Sequence, residues 1–369
     1  MSAIAVYGAS GYTGKLVVRE AARVGLDLVL AGRNAEKLHR VADEAGVDAP
    51  VRAAAVDDRD ALRHALGDCA VVINCAGPFS RYGEQVVRAA VETGTHYLDT
   101  TGEQAYMKRI VDRYDDAAGA AEVAVVTAAG FDYVPGDMLC SLVARGHEPL
   151  SELVVAYAVR GVGVTRGTMH SGLEIFKGGD LEYVDGDWRP AGHGPLRANF
   201  LFPPPLGRQR VGKYPNGEIV NVPRHTRTRK VTSLISVGGR VPALAPLALP
   251  AFGLALRTPL KPLLHTAIDQ LPEGPSEAAR RAAKFTIVAL AHGEDGTTGR
   301  GVLRGSDIYG VTAVIAVHAA ELMAAAGYDR AGALSPAMAF EPIEFLDYLG
   351  DHGVSYELDS AAESVPIQS

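Results

Sequence analysis

Several things are scarce or missing in this chain of 369 residues, and each omission closes off a class of function. Cysteine is rare: Cys69, Cys75 and Cys140 are the whole complement, and they show no paired metal-ligand spacing. That pattern argues against a disulfide framework and a structural zinc site, and a reduced cytoplasmic setting is expected. The eleven histidines are scattered with no H-E-x-x-H pair, so no metal is expected. No basic block stands out against a net charge of −7, which argues against nucleic acid as a partner. No apolar run reaches the roughly 18 residues that a membrane span needs. The nearest, 241–256, is short and broken by Pro242, Pro246 and Pro250. The opening Met-Ser-Ala-Ile-Ala has no charged n-region or cleavage site, so no secretory leader is expected. There is no internal repeat and no low-complexity linker.

What is present is a hydrophobic fraction of 47%, enough for a sizeable core in one large or two medium domains. Residues 3–34 organise the rest. A short apolar run, Ala3 to Tyr7, leads into Gly8-Ala9-Ser10-Gly11-Tyr12-Thr13-Gly14. An amphipathic run to Val24 and a second apolar run ending in Gly32-Arg33-Asn34 follow. Strand, glycine turn, helix and strand form the opening unit of a dinucleotide-binding fold. Gly8 allows the sharp turn, Gly11 lets backbone N–H groups approach a pyrophosphate, and Gly14 lets the helix lie close to the sheet. The bland alternative is a glycine turn that binds nothing.

The end of the second strand bears on which dinucleotide. An NAD site usually places Asp or Glu there for the ribose 2′-OH. Arg33 and Asn34 stand there instead, with Lys37 a helical turn on. A guanidinium suits a 2′-phosphate, so NADP(H) is expected rather than NAD. The alternative for Arg33 is an ordinary solvated arginine at a strand end.

The strand–helix rhythm continues to Val126. Asp57, at the end of the third strand, can bond the adenine amino group or simply sit in a turn. The turn after the fourth strand carries Asn74, Ala76, Gly77 and Pro78, on the same carboxyl edge as the glycine turn, and is assigned to the nicotinamide ribose. The expected fold class is α/β: a Rossmann doubly wound parallel sheet plus a second α/β domain with a mixed, largely antiparallel sheet. The expected units are 1–130, the NADP-binding domain; 131–310, a substrate or dimerisation domain; and 311–369, packing back on the first. In the second unit the pattern predicts a helix over 165–177, a hairpin turning at Asp185-Gly186, a strand over 218–222 and irregular chain over 203–215.

Four stretches in order carry a resemblance: Gly8 to Gly14, Val72-Ile-Asn-Cys-Ala-Gly-Pro-Phe79, Thr95-His-Tyr-Leu-Asp-Thr-Thr-Gly-Glu103 and Gly130-Phe-Asp-Tyr-Val-Pro-Gly-Asp137. Together they resemble the saccharopine dehydrogenase-like oxidoreductases, and most of all the branch that includes trans-acting enoyl reductases. The resemblance covers roughly 1–180 and extends to the segment 332–340. It implies a Rossmann domain with an inserted α/β domain, and hydride transfer with NADP(H). It leaves the substrate open: some members act at a C–N bond, others at a conjugated C=C.

Reduction needs a polarised acceptor and a proton source. By position at strand ends, Tyr133, Asp132 and Glu103 are candidates, joined by His170 from the second unit. Tyr133 ranks first, because a phenol can donate and polarise. Each has a plainer alternative: a packed loop aromatic, turn caps, a helix-start carboxylate and a core histidine. The apolar stretch 241–264 is read as a buried helix pair, a homodimer interface, or a surface meeting an acyl carrier, an apolar substrate or a membrane. Three functions remain open: an enoyl reductase acting on a small-molecule or carrier-linked apolar intermediate of acyl or polyketide type, a C=N reductase or amine dehydrogenase, and a non-enzymatic NADP sensor. Arg224, Arg227, Arg229 and Lys230 form the one basic run that suits an amino-acid substrate.

Overall fold

The computed structural model describes residues 3–175, 179–192, 198–237 and 266–359. The stretch 241–264 and the tail from Ser360 lie outside the described residues.

The first half alternates without a break: β1 (Ala3–Tyr7), α1 (Tyr12–Arg23), β2 (Leu28–Gly32), α2 (Ala35–Ala45), β3 (Val51–Ala53), α3 (Arg59–Leu66), β4 (Cys69–Asn74), α4 (Phe79–Thr93), β5 (His96–Asp99), α5 (Gln104–Ala120), β6 (Ala124–Val126) and α6 (Val134–Ala144). β1, β2 and β4 are apolar runs buried on both faces, as a parallel sheet covered by helices requires. The strands pair in parallel in the order β3-β2-β1-β4-β5-β6. The order reverses at β1, so a crevice opens at its carboxyl end, beside the glycine turn.

The second half holds β7 (Leu150–Arg160), α7 (Arg166–Ile175), β8 (Leu181–Val184), β9 (Asp187–Pro190), β10 (Ala198–Leu201), β11 (Arg208–Lys213), α8 (Glu218–His225), β12 (Lys230–Val237), α9 (Glu277–Ala282), β13 (Lys284–Gly293) and β14 (Thr298–Ser306). It closes with α10 (Ile308–Met323), β15 (Gly332–Leu334), α11 (Pro336–Ala339), α12 (Pro342–Gly350) and β16 (Ser355–Asp359). The second sheet runs β10-β11-β12-β7-β13-β14-β16, with the β8–β9 hairpin attached to β12. Only β12 and β7 pair in parallel, so the sheet is mixed and largely antiparallel. The closing segment divides. β15 extends the first sheet beside β6, in parallel, whereas β16 pairs with β14 in the second.

One apolar core joins the sheets. Ile4, Val6 and Ile73 of the first cluster with Met138 and Leu139 of α6, Ile315 and Ala319 of α10, and Leu153, Val155, Ile287 and Ala289 of the second. α6 and α10 are apolar around most of their girth, which suits helices held between two sheets.

Two expected features are corrected. Residues 218–222 are helical, not extended. Five apolar-rich residues do not separate the two periods; Asn216-Gly217 starts a turn, and the Val220 and Asn221 N–H groups bond the Gly217 carbonyl. Residues 208–213 form β11 rather than irregular chain, because the sheet supplies partners on both sides.

Gly14 is where helix and turn touch: a Cβ there would lie 2.4 Å from the Gly8 carbonyl oxygen and 2.8 Å from the Ala9 Cα. Gly119 of α5 has nothing within 4 Å. In urea unfolding, Gly14→Ala is expected to cost about 1–3 kcal/mol through backbone displacement, and Gly119→Ala to stabilise by about 0.5–1 kcal/mol.

Candidate active site

Gly8 takes a left-handed φ of +79°, and a Cβ on it would meet Ala76 at 2.9 Å. The β1–α1 turn therefore packs directly against the β4–α4 turn. α1 starts at Gly11, which has no side chain to cap it, and its first turn holds no acid. Its first N–H groups thus lack an intrahelical partner, while α2 and α3 are capped by Asn34 and Asp58. A glycine-lined, uncapped helix start at a switch point fits a pyrophosphate. Ser10 and Thr13 lie partly open on this turn. Tyr12 reaches away from it: its hydroxyl donates to the Pro275 carbonyl at 2.8 Å, and its ring stacks edge-on with Tyr309.

At the other end of the crevice Arg33 is exposed, and so are Lys37 and Asp57. Arg33 and Asp57 both act electrostatically on the Tyr7 hydroxyl, so they share one corner. Burial is the larger influence and pushes that hydroxyl up to about 12. Asn34 is occupied otherwise: its Oδ1 accepts the Lys37 N–H at 2.9 Å. The cap uses only the backbone N–H of Lys37, so the Arg33 guanidinium and the Lys37 ammonium are both candidates to hold a 2′-phosphate at this strand end.

Below the nicotinamide end lies a buried polar network. Asp99 accepts the Ala128 N–H (2.8 Å), the Thr101 N–H (3.1 Å) and the Tyr97 hydroxyl (2.8 Å). Tyr97 also accepts from Asn74 Nδ2 at 3.0 Å, and Asn74 Oδ1 takes the Ala76 N–H at 2.9 Å. Asn74 therefore shapes the Ala76-Gly77-Pro78 turn rather than offering its side chain to a ligand. Asp99 is fully buried, and desolvation pushes its carboxyl up to about 6 against the opposing hydrogen bonds.

The four proton-transfer candidates separate sharply. Glu103 is committed: its oxygens accept the Phe79 and Ser80 N–H groups (2.8 and 2.9 Å) and the Ser171 hydroxyl (2.8 Å). It caps α4 and ties it to α7. Tyr133 is fully buried against Met107 and Ala128, and its hydroxyl already donates to the Gly102 carbonyl at 2.8 Å. Burial holds that phenol well above its ordinary value. The first-ranked donor is thus a packing residue, as a loop aromatic beneath an interface tends to be. His170 is mostly buried and faces Asp269 at 3.0 Å. Asp132 alone of the four keeps an open face to solvent. It stands beside Gly102 and makes no side-chain hydrogen bond among the described residues. Surrounding protein nevertheless strips enough water to push it up to about 6, with no nearby charge among the causes.

Three neighbours of Asp132 have no signal in the sequence. Tyr157 donates to the Asp132 carbonyl at 3.1 Å and contacts the buried Glu218 carboxyl. Burial raises Glu218 well above the carboxylate range. Tyr214 lies within electrostatic reach of Asp132 and is raised by burial. No motif marks them; only the folding of the second sheet against α6 brings them here. Among the described residues no helix is long and apolar enough to cross a membrane.

The reversed parallel sheet, the uncapped glycine turn and the arginine at the second strand end define a Rossmann-type dinucleotide-dependent oxidoreductase. Residues 4–128 match the family model of the saccharopine dehydrogenase NADP-binding domain. The human saccharopine dehydrogenase-like oxidoreductase is 25% identical over 434 aligned positions, covering 98% of either chain. The trans-acting enoyl reductase of Mycobacterium leprae is 35% identical over 140 residues, 37% of this chain and 34% of that relative. The apo saccharopine dehydrogenase (L-Glu forming) of Saccharomyces cerevisiae shares the fold, with a TM-score of 0.64 at 13% identity, covering 97% of this chain and all of that one. The chain is thus an NADP(H)-dependent oxidoreductase whose residues 4–128 match the saccharopine dehydrogenase NADP-binding domain, and along its length it is similar to the saccharopine dehydrogenase-like oxidoreductases.

Two measurements follow. Removing the Arg33 guanidinium takes away charge-assisted bonds of about 1.5–3 kcal/mol. Calorimetric titration of Arg33→Ala should show roughly tenfold or greater weakening for NADPH and little change for NADH. Asp99 has a folded midpoint near 6, above the unfolded aspartate value of about 3.9. Its contribution is complete below pH of about 4 and is lost, to the extent of about 2–3 kcal/mol, as pH rises through 6. Asp99→Asn stays neutral, so urea unfolding across that window should show a shallower decline.

Proposed function

We propose that this oxidoreductase reduces a conjugated C=C bond in an acyl- or polyketide-type intermediate carried as a thioester, with NADPH as donor. The observation that supports the reading is Asp132: a carboxyl just past the end of β6 with no hydrogen-bond partner and no cation beside it among the described residues, which the surrounding protein pushes up to about 6. Near neutral pH such a group exists in both forms and can give up a proton. A substrate with free carboxylates would need guanidinium or ammonium groups close by. The basic run does not serve here: Arg224, Arg227 and Arg229 gather at the end of α8 opposite Gly217, which packs on the Tyr133 ring, and Lys230 pairs with Glu152 at 2.9 Å.

NADPH supplies the hydride when bound. The chain's share is to hold the dinucleotide at Gly8–Gly14, Arg33 and Gly77–Pro78, and to manage charge and proton at the acceptor. The Tyr214 hydroxyl has no hydrogen-bond partner among the described residues and is kept neutral by burial. It is the donor toward an enolate oxygen, and Asp132 protonates the α carbon. Tyr214 also lines a cavity of about 530 Å³ whose apolar members, Leu181, Val184, Ile219 and Val231, offer room for an acyl portion, while its charged members, Glu152, Asp180, Glu182, Lys213 and Lys230, bring both signs.

The test is NADPH consumption with enoyl thioesters of coenzyme A against cyclic imines. Turnover of the thioesters is expected. Asp132→Asn should leave NADPH affinity unchanged and lower kcat by about 100-fold or more. Because the protonated carboxyl is the donor, kcat should be level below pH 6 and fall above it. Turnover of imines alone would place the chemistry at C=N, and tight NADPH binding with neither turned over would favour a sensor.

A further inference from the structure

The basic run opens onto a cavity of its own. α8 begins at Gly217, packed on the Tyr133 ring, and ends at Arg224 and His225. Arg224 pairs with Asp115, 11 residues along α5 from Gln104, or about 16 Å down that helix. At this end a cavity of about 500 Å³ is lined by Arg224, Arg227, Arg229, Thr226, Thr228 and Glu294, among others. Three arginines thus line one cavity, with Asp115, Glu148 and Glu294 as their nearest acids, in a protein whose net charge is −7.

None of the three is hydrogen-bonded through its side chain among the described residues. Their acids stand off at 3.8 Å (Asp115 to Arg224), 3.8 Å (Glu148 to Arg227) and 3.9 Å (Glu294 to Arg229). Arg224 is the telling one. Its side chain is only 11% exposed, its Nη1 is buried with no partner, and desolvation lowers its pKa. A buried guanidinium with an unmet N–H fork is costly unless something accepts from it. His225 faces Asp137 at 2.9 Å, so it does not relieve Arg224.

We infer that the cavity at the end of α8 is a second anion site, separate from the nucleotide crevice, built for a phosphate group. Three arginines on one cavity, none of their side chains spent on a hydrogen bond among the described residues, suit a tetrahedral dianion with several acceptor oxygens better than a two-oxygen carboxylate. The inference is independent of the reaction proposed above.

The test is calorimetry on the full chain saturated with NADPH, which fills the cofactor's own phosphate positions, at constant ionic strength in chloride. The probes are inorganic phosphate, adenosine 3′,5′-bisphosphate and malonate. Saturable binding of a phosphate probe, one per chain, is expected. Arg227→Gln combined with Arg229→Gln should weaken it at least about tenfold. Those two side chains are 77% and 67% exposed, so this variant keeps its fold. Arg224→Lys, which keeps the charge and loses the fork, should weaken it too. Tighter binding of the bisphosphate assigns the site to a nucleotide-borne phosphate and equal binding to free phosphate; both uphold it. The inference is overturned if no phosphate probe saturates, if the double variant binds as well as wild type, or if malonate binds as tightly as phosphate.

Discussion

The carboxyl of Asp99 is the point on which the catalytic edge depends. Its two oxygens gather the Thr101 N–H, the Ala128 N–H and the Tyr97 hydroxyl, and Tyr97 passes the connection on to Asn74. Three turns of one sheet edge, after β4, β5 and β6, are thereby fixed to one buried group. The bond to Ala128 also holds a non-glycine residue at a φ of +61°, a left-handed conformation that costs about 1–2 kcal/mol by itself. Four residues further along, Asp132 emerges with nothing bonded to its carboxyl among the described residues. Loops that carry function are often set by such over-determined neighbours.

A second carboxylate joins the two halves. Glu103 uses both oxygens on the start of α4 and accepts Ser171 from α7, so the turn at Gly77–Pro78 and the second unit move as one. A clasp on the far side of the crevice works similarly. Lys15 of α1 and Arg166 of α7 both pair with Glu273, and Tyr12 bonds Pro275. Exposed pairs of this kind contribute little to stability; their consequence is placement, since they bring residues 273–275 against the glycine turn.

Much of the first sheet was legible in the chain itself. Continuous apolar runs at regular spacing, with glycines at turn positions, leave few alternatives to a parallel sheet, and the crevice follows from its strand order. The cofactor's identity was legible for the same reason: the glycine turn at Gly8, Gly11 and Gly14 and the arginine at the second strand end are local features, of backbone shape and position. The surroundings of Asp132 were not. Glu103 and Tyr133 sit at strand ends as catalytic groups do, yet hydrogen-bond geometry commits both to structure. Tyr157, Tyr214 and Glu218 come from the second half, where short segments read ambiguously; the pattern over 218–222 suits a strand as well as the helix that forms there. Such long-range convergence has no periodic signature.

The central claim is that the loop fixed by Asp99 presents Asp132 as a protonatable acid at the nicotinamide edge. The most direct measurement is a carbon-detected NMR titration of the Asp132 carboxyl in the full chain, assigned by its loss in Asp132→Asn. The account expects a midpoint near 6. A midpoint near the ordinary aspartate value of about 4 would contradict it, because the group would then be fully ionised at neutral pH and unfit to supply the proton.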